Sequence, residues 1–96
     1  MKSSRIKSKK NREKVQGERC VCCFAPPPTD CDHIGTRGAG AGDGPNEIWS
    51  LCRECHVRKH AMGLNRFIEN YPHLKEVLID KGWEFNEFRN RWLRAV

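Results

Sequence analysis

The sequence predicts a small α+β domain stapled by cysteines: a two-stranded antiparallel hairpin plus a helix, followed by C-terminal helices. Three observations lead there. Ninety-six residues bury only about 60% of their unfolded surface, a marginal core that usually needs a metal or disulfide staple. Two Cys-x-x-Cys pairs, Cys20/Cys23 and Cys52/Cys55, flank two short apolar runs separated by a glycine-rich stretch. Beyond the second pair, apolar residues recur with the period of a helix.

Each element follows from local composition. Residues 1–18 have few apolar side chains and no evident cap, and read as a disordered or weakly helical basic arm. RCVCCF, residues 19–24, is a tight cysteine turn, and the prolines of APPPTD forbid helix behind it. CDHIG, residues 31–35, reads as a first strand. Five glycines and a proline in GTRGAGAGDGPN make a loop, and EIWSLC supplies the second strand. Residues 54–62 turn helical, and Gly63 stops that helix. Leu64, Phe67, Ile68 and Tyr71 form an apolar stripe ended by Pro72, and Leu74, Val77 and Leu78 form a second, ended by Gly82. Phe85, Phe88, Trp92 and Val96 continue the period as a third helix. Domain organisation follows: a basic arm over 1–18, a core over 19–63, and a helical extension over 64–96 packed on it.

Charge is unevenly placed. Eight basic side chains against Glu13 and Glu18 put the whole formal charge of +6 into residues 1–19, and the remainder is balanced. A basic arm on a neutral body suggests a polyanionic partner, with a solvated leader as the plain alternative. No run of about 18 apolar residues exists to span a membrane, and the N-terminus lacks the apolar stretch of a secretory signal. A cytoplasmic chain with Cys-x-x-Cys pairs is expected to bind zinc rather than form disulfides. Two pairs complete a closed tetrahedral site at Cys20, Cys23, Cys52 and Cys55, which is the structural type of zinc site. Cys22 and Cys31 are surplus, and CVCC leaves open whether Cys22 or Cys23 is the ligand.

The clasp leaves His56 and His60 over. They stand at i and i+4, on one helix face, and are able to converge on one metal ion or one phosphate. Upstream, Asp32 and His33 are adjacent, and Asn46 precedes the second strand. The motifs CDHIG, PNEIWSLC and CRECHVRKH, in this order and with both cysteine pairs, resemble the HNH nucleases over roughly residues 20–63, and HAMGLNRFIENYP and GWEF more loosely resemble small nucleases of phages and prophages. The resemblance implies a ββα-metal core and a catalytic set of His33, Asn46 and His56. His33 would be the general base, and Asp32, His56 and His60 would hold a catalytic divalent ion, with His60 a phosphate contact in the alternative. Asn46 would pin His33 or the loop by hydrogen bonds. It stands one residue further from the cysteine pair than is usual, so Asp43 or a shifted loop is the alternative for part of that role. A mixed Asp/His donor set suits Mn²⁺ better than Mg²⁺ alone.

The implied function is metal-dependent hydrolysis of a phosphodiester in double-stranded DNA, with one active site per chain and therefore nicking as its product unless the chain dimerises. Arg37, Arg53, Arg58 and Lys59 on the body, and Lys7, Lys9 and Lys10 on the arm, are the candidate phosphate contacts. The expected enzyme is a cytoplasmic monomer or weak homodimer in a bacterial host, encoded by the host itself or by a phage or prophage, using no small-molecule cofactor. The competing class is a non-catalytic zinc-ribbon DNA-binding or adaptor module, for which the cysteines and arm suffice. A redox role for Cys-x-x-Cys fits poorly, because both pairs are placed for one ion and no βαβ pattern accompanies them.

Overall fold

The computed structural model describes residues 8–35 and 42–94. Helix α1 spans Lys9–Gln16, where composition predicts an arm with weak structure at most. Ser8 caps it, its hydroxyl accepting from the Asn11 N–H at 3.1 Å, which satisfies one of the orphan donors of a helix start. Only Val15 is buried, so no apolar stripe announces this helix. Polar contacts dock it instead. The buried Thr29 hydroxyl donates toward the carbonyls of Glu18 at 2.9 Å and Val15 at 3.2 Å, and the Thr29 N–H reaches Gln16 O at 3.0 Å.

Strands β1 (Asp30–His33) and β2 (Ile48–Leu51) pair antiparallel, with Asp32 opposite Trp49 and His33 opposite Ile48. All four residues of β2 are buried, as a strand covered on both faces requires. Helix α1 packs along the hairpin, and so does α2 (Arg53–Met62). Cys52 caps α2, its Sγ accepting from the Cys55 N–H at 3.5 Å. Glu54 in the first turn and Lys59 and His60 in the last complement the helix dipole. Gly63 ends α2 at φ +84°, a left-handed value that a side chain resists.

Helices α3 (Leu64–Asn70) and α4 (Leu74–Asp80) bury Phe67, Ile68, Leu74 and Leu78, as their stripes predict. With Trp49, Leu51, Ile34 and Trp83 these residues form the core.

The third helix does not form. Residues Trp83–Asn86 (β3) and Arg91–Arg94 (β4) pair as a second antiparallel hairpin. Alternation of Trp83 and Phe85, together with a Phe85–Trp92 edge-on pair opposite in register, outweighs the helical spacing of Phe85, Phe88 and Trp92. Phe88 is 97% exposed in the turn, so its place in the stripe is coincidental. Asn86 Oδ1 accepts from the Arg89 N–H at 2.8 Å and closes that turn. Val96 lies outside the described residues. The hairpin seats against the core through Trp83, whose Nε1–H donates to Asn46 O at 2.8 Å. Its ring approaches Gly35 so closely that a Cβ there would lie 3.0 Å from it. Among the described residues no helix is long and apolar enough to cross a membrane.

The docking of α1 is testable through Thr29. Thr29→Val keeps the shape and removes the hydroxyl, leaving the Glu18 carbonyl without its donor. A loss of about 1–3 kcal/mol is expected in denaturant unfolding, and an unchanged midpoint would show that α1 is not held there.

Candidate functional site

Two clusters of metal-ligand side chains share helix α2. At its start, Cys20, Cys23, Cys52 and Cys55 bring their sulfurs within 4.8 Å of one another. Cys23 Sγ and Cys52 Sγ are 3.6 Å apart, close to the edge of a zinc–sulfur tetrahedron with bonds of about 2.3 Å. Both Cys-x-x-Cys turns have the same form, the second cysteine's N–H pointing at the first one's Sγ, at 3.4 Å for Cys23 and 3.5 Å for Cys55. Burial pushes the Cys20 thiol up, but backbone N–H groups of Cys23, Cys52 and Cys22 outweigh it and bring it down to about 7. Four such sulfurs fit a structural zinc. Cys23 rather than Cys22 completes the set; Cys22 is buried beside Cys55, and burial raises its thiol. Cys31 stands apart on β1, pushed up to about 11 by burial.

Beyond the cysteines on α2, His56 and His60 face strand β1. The Nε2 atoms of both lie 3.3 Å from Asp32 Oδ1. Asp32, 1% exposed, has its second oxygen fully engaged: the Trp49 indole N–H donates at 2.8 Å and the Lys59 ammonium at 2.9 Å. His56 Nδ1 is 3.0 Å from Asp30 Oδ2. A carboxylate only accepts, so Nδ1–H donates there and Nε2 of the neutral ring keeps its lone pair. That lone pair then faces Asp32 Oδ1, an arrangement of two acceptors that calls for a cation between them. One metal ion shared with His60 would satisfy all three atoms; without it, His56 would have to be doubly protonated and charged beside Lys59 to donate to Asp32 as well as Asp30, whereas His60 donates as a neutral ring. The three residues therefore fit a divalent ion, with Asp30 as the outer partner that aims His56. The hydrogen bond from His56 holds the Asp30 carboxyl below its usual range, against burial and with help from Arg53.

His33 has a different partner from the one the sequence resemblance implies. Its Nε2 lies 2.7 Å from Asp43 Oδ1, so Asp43, not Asn46, orients the ring. Asn46 is exposed and contributes its backbone carbonyl to Trp83. Burial pushes the Asp43 carboxyl up, but hydrogen bonds from the Ser8 N–H, His33 and Arg12 together hold it below the ordinary range. Strand alternation aims Asp32 and His33 to opposite faces, yet both border one cleft of about 1060 Å³ along β1. Its walls include Lys59, His60, Trp83, Arg91, Trp92 and Arg94.

The expected phosphate contacts fare unevenly. Lys59 is buried, donating to His33 O at 3.0 Å as well as to Asp32, and is an internal counter-ion rather than a surface contact. Arg53 is paired with Asp30 at 2.9 Å. Arg58 is exposed on the face of α2 beside Cys55. Lys9 and Lys10 are exposed on α1, with Lys9 3.8 Å from Glu13. Lys7 and Arg37 lie outside the described residues. Asp30, by default a strand-end residue in the sequence, was missed, although its place two residues before Asp32 puts it on the same face of the strand; Arg91 and Trp92 were hidden by the helical reading of their segment.

One zinc per chain is expected by elemental analysis. Cys55→Ser should abolish folding in circular dichroism, because structural zinc contributes about 10–16 kcal/mol. Cys23→Ser should lower zinc retention more than Cys22→Ser; the reverse order would exchange the ligand. In comparisons with protein-family models, curated proteins and solved structures, none matches this chain, so its function is argued from the two clusters and the cleft.

Proposed function

We propose that this chain is a metal-dependent endonuclease of the HNH type that hydrolyses one phosphodiester of double-stranded DNA. The observation that carries the reading is the convergence of Asp32, His56 and His60 on a cleft that His33, held by Asp43, also borders. A zinc-ribbon adaptor needs only the cysteines and the basic arm and leaves both arrangements without a purpose.

The chemistry of His33 follows from its hydrogen bond. Asp43 accepts from Nε2–H, so the neutral ring carries its lone pair on Nδ1, the nitrogen left to take a proton from an attacking water. An imidazole is suited to that exchange near neutral pH. Asp43 also stabilises the imidazolium that results. A divalent ion held by Asp32 Oδ1 and the two Nε2 atoms, Mn²⁺ by preference for mixed oxygen and nitrogen donors, would neutralise charge on the phosphate and the departing 3′ oxygen. Lys59 holds Asp32 from the far side, leaving Oδ1 toward the histidines. His60, more exposed than His56, serves as third ligand or as phosphate donor. Arg91, on the wall formed by the second hairpin, would neutralise a backbone phosphate.

Supercoiled plasmid incubated with the protein and Mn²⁺ should become nicked, and EDTA should prevent it. His33→Ala should slow nicking by about 10²- to 10⁴-fold while zinc content and DNA binding stay unchanged; a near wild-type rate would sink the mechanism. His56→Ala should inactivate comparably and His60→Ala less. Arg91→Ala should leave the single-turnover rate at saturation unchanged and lower the log–log salt slope of DNA binding by about 0.9, one phosphate's share. An unchanged slope would remove the second hairpin from the interface.

A further inference from the structure

Helix α1 is more than a carrier of basic charge. Asp43 sits between two glycines, Gly42 and Gly44, in backbone with little stiffness of its own. Helix α1 supplies the missing constraint. The Ser8 N–H donates to Asp43 Oδ2 at 2.9 Å, the Arg12 guanidinium pairs with the same oxygen, and the Asn11 amide donates to the Asp43 carbonyl at 2.9 Å. Three groups within five residues of one helix start thus bind a single aspartate more than thirty positions away. They occupy Oδ2 and the backbone, and they leave Oδ1 for His33. The carboxylate is 6% exposed, so water competes little for these bonds.

We propose that helix α1 is a positioning element for the catalytic cleft: Arg12 and the Ser8 N–H fix Asp43, and Asp43 fixes the tautomer and orientation of His33. The kinetic side of this rests on the nuclease reading, whereas the hydrogen-bond chain does not. Arg12 touches neither substrate nor metal in this scheme and acts through Asp43. Its side chain is 41% exposed, so the rival role is a plain phosphate contact, and the two roles differ in what they do to kcat and KM.

The experiment compares wild type, Arg12→Ala, Arg12→Lys, Asp43→Ala and the Arg12→Ala/Asp43→Ala double variant, each with its zinc content and melting midpoint measured. Positioning predicts a kcat lower by about 10- to 100-fold for Arg12→Ala, the scale of a misplaced catalytic group, with KM within about 2-fold. Arg12→Lys should recover part of the loss, since an ammonium still reaches the carboxylate but without the fork. In the Asp43→Ala background, Arg12→Ala should cost nothing further, because residues acting in series are not additive. A raised KM with unchanged kcat, or full additivity, would overturn the proposal. A second measurement stands apart from activity. Two-bond ¹H–¹⁵N spectra of the His33 ring should show Nε2 protonated in the wild type and a mixture of tautomers in Arg12→Ala. Identical ring spectra in both would refute positioning even if the protein cuts no DNA, whereas absent nicking with the expected spectra would refute the nuclease reading alone.

Discussion

A carboxylate with almost no access to water ties the structure together. Asp32 receives the Trp49 indole from β2 and the Lys59 ammonium from α2 on one oxygen, and faces two imidazoles of α2 with the other. Burying such a charge is tolerated only with partners on every side, and supplying them fixes where α2 lies on the hairpin. The cysteine cluster sets the start of that helix and Asp32 sets its end. Ten residues of helix are thereby pinned at both termini, and the register of His56 and His60 against β1 follows from those two anchors.

The same economy explains how a chain of this size keeps polar groups inside. Lys59 would be an expensive resident anywhere else; here its ammonium bridges Asp32 and the carbonyl of His33, joining the two neighbouring residues on which the proposed chemistry depends. Asp43 does the equivalent on the opposite face, joining α1 to His33. The hairpin is therefore gripped from both sides by ionic contacts that end on adjacent positions of one strand. A change at either face reaches the other through a single peptide unit.

Legibility in the sequence followed the physics of each element. The first hairpin, α2 with its glycine stop, and the stripes of α3 and α4 were readable, because apolar periodicity and backbone-permissive residues mark them directly. The four-cysteine set was readable from spacing, and the grouping of Asp32, His56 and His60 from the motif resemblance. Helix α1 was not, since one buried valine makes no stripe and its docking relies on hydrogen bonds to Thr29 and Asp43 from positions remote in sequence. Nor was the second hairpin, whose aromatic spacing satisfies a helical and a strand period alike until the exposed Phe88 and the Asn86 turn decide it. Asn46 attracted a role by position in a motif, but contact with His33 falls to an aspartate inside the glycine loop, where local sequence carries no sign of the helix that braces it.

The three tryptophans of the chain all belong to this neighbourhood. Trp49 shares a hydrogen bond with the carboxylate of Asp32, while Trp83 and Trp92 face the cleft from its far wall. The intrinsic fluorescence of the protein is therefore a built-in optical reporter of that one region. A change of charge at Asp32 acts on a buried indole through a 2.8 Å contact, and occupation of the cleft alters the surroundings of the other two. Events there register in the emission of the unlabelled molecule, with no tryptophan elsewhere to dilute the signal.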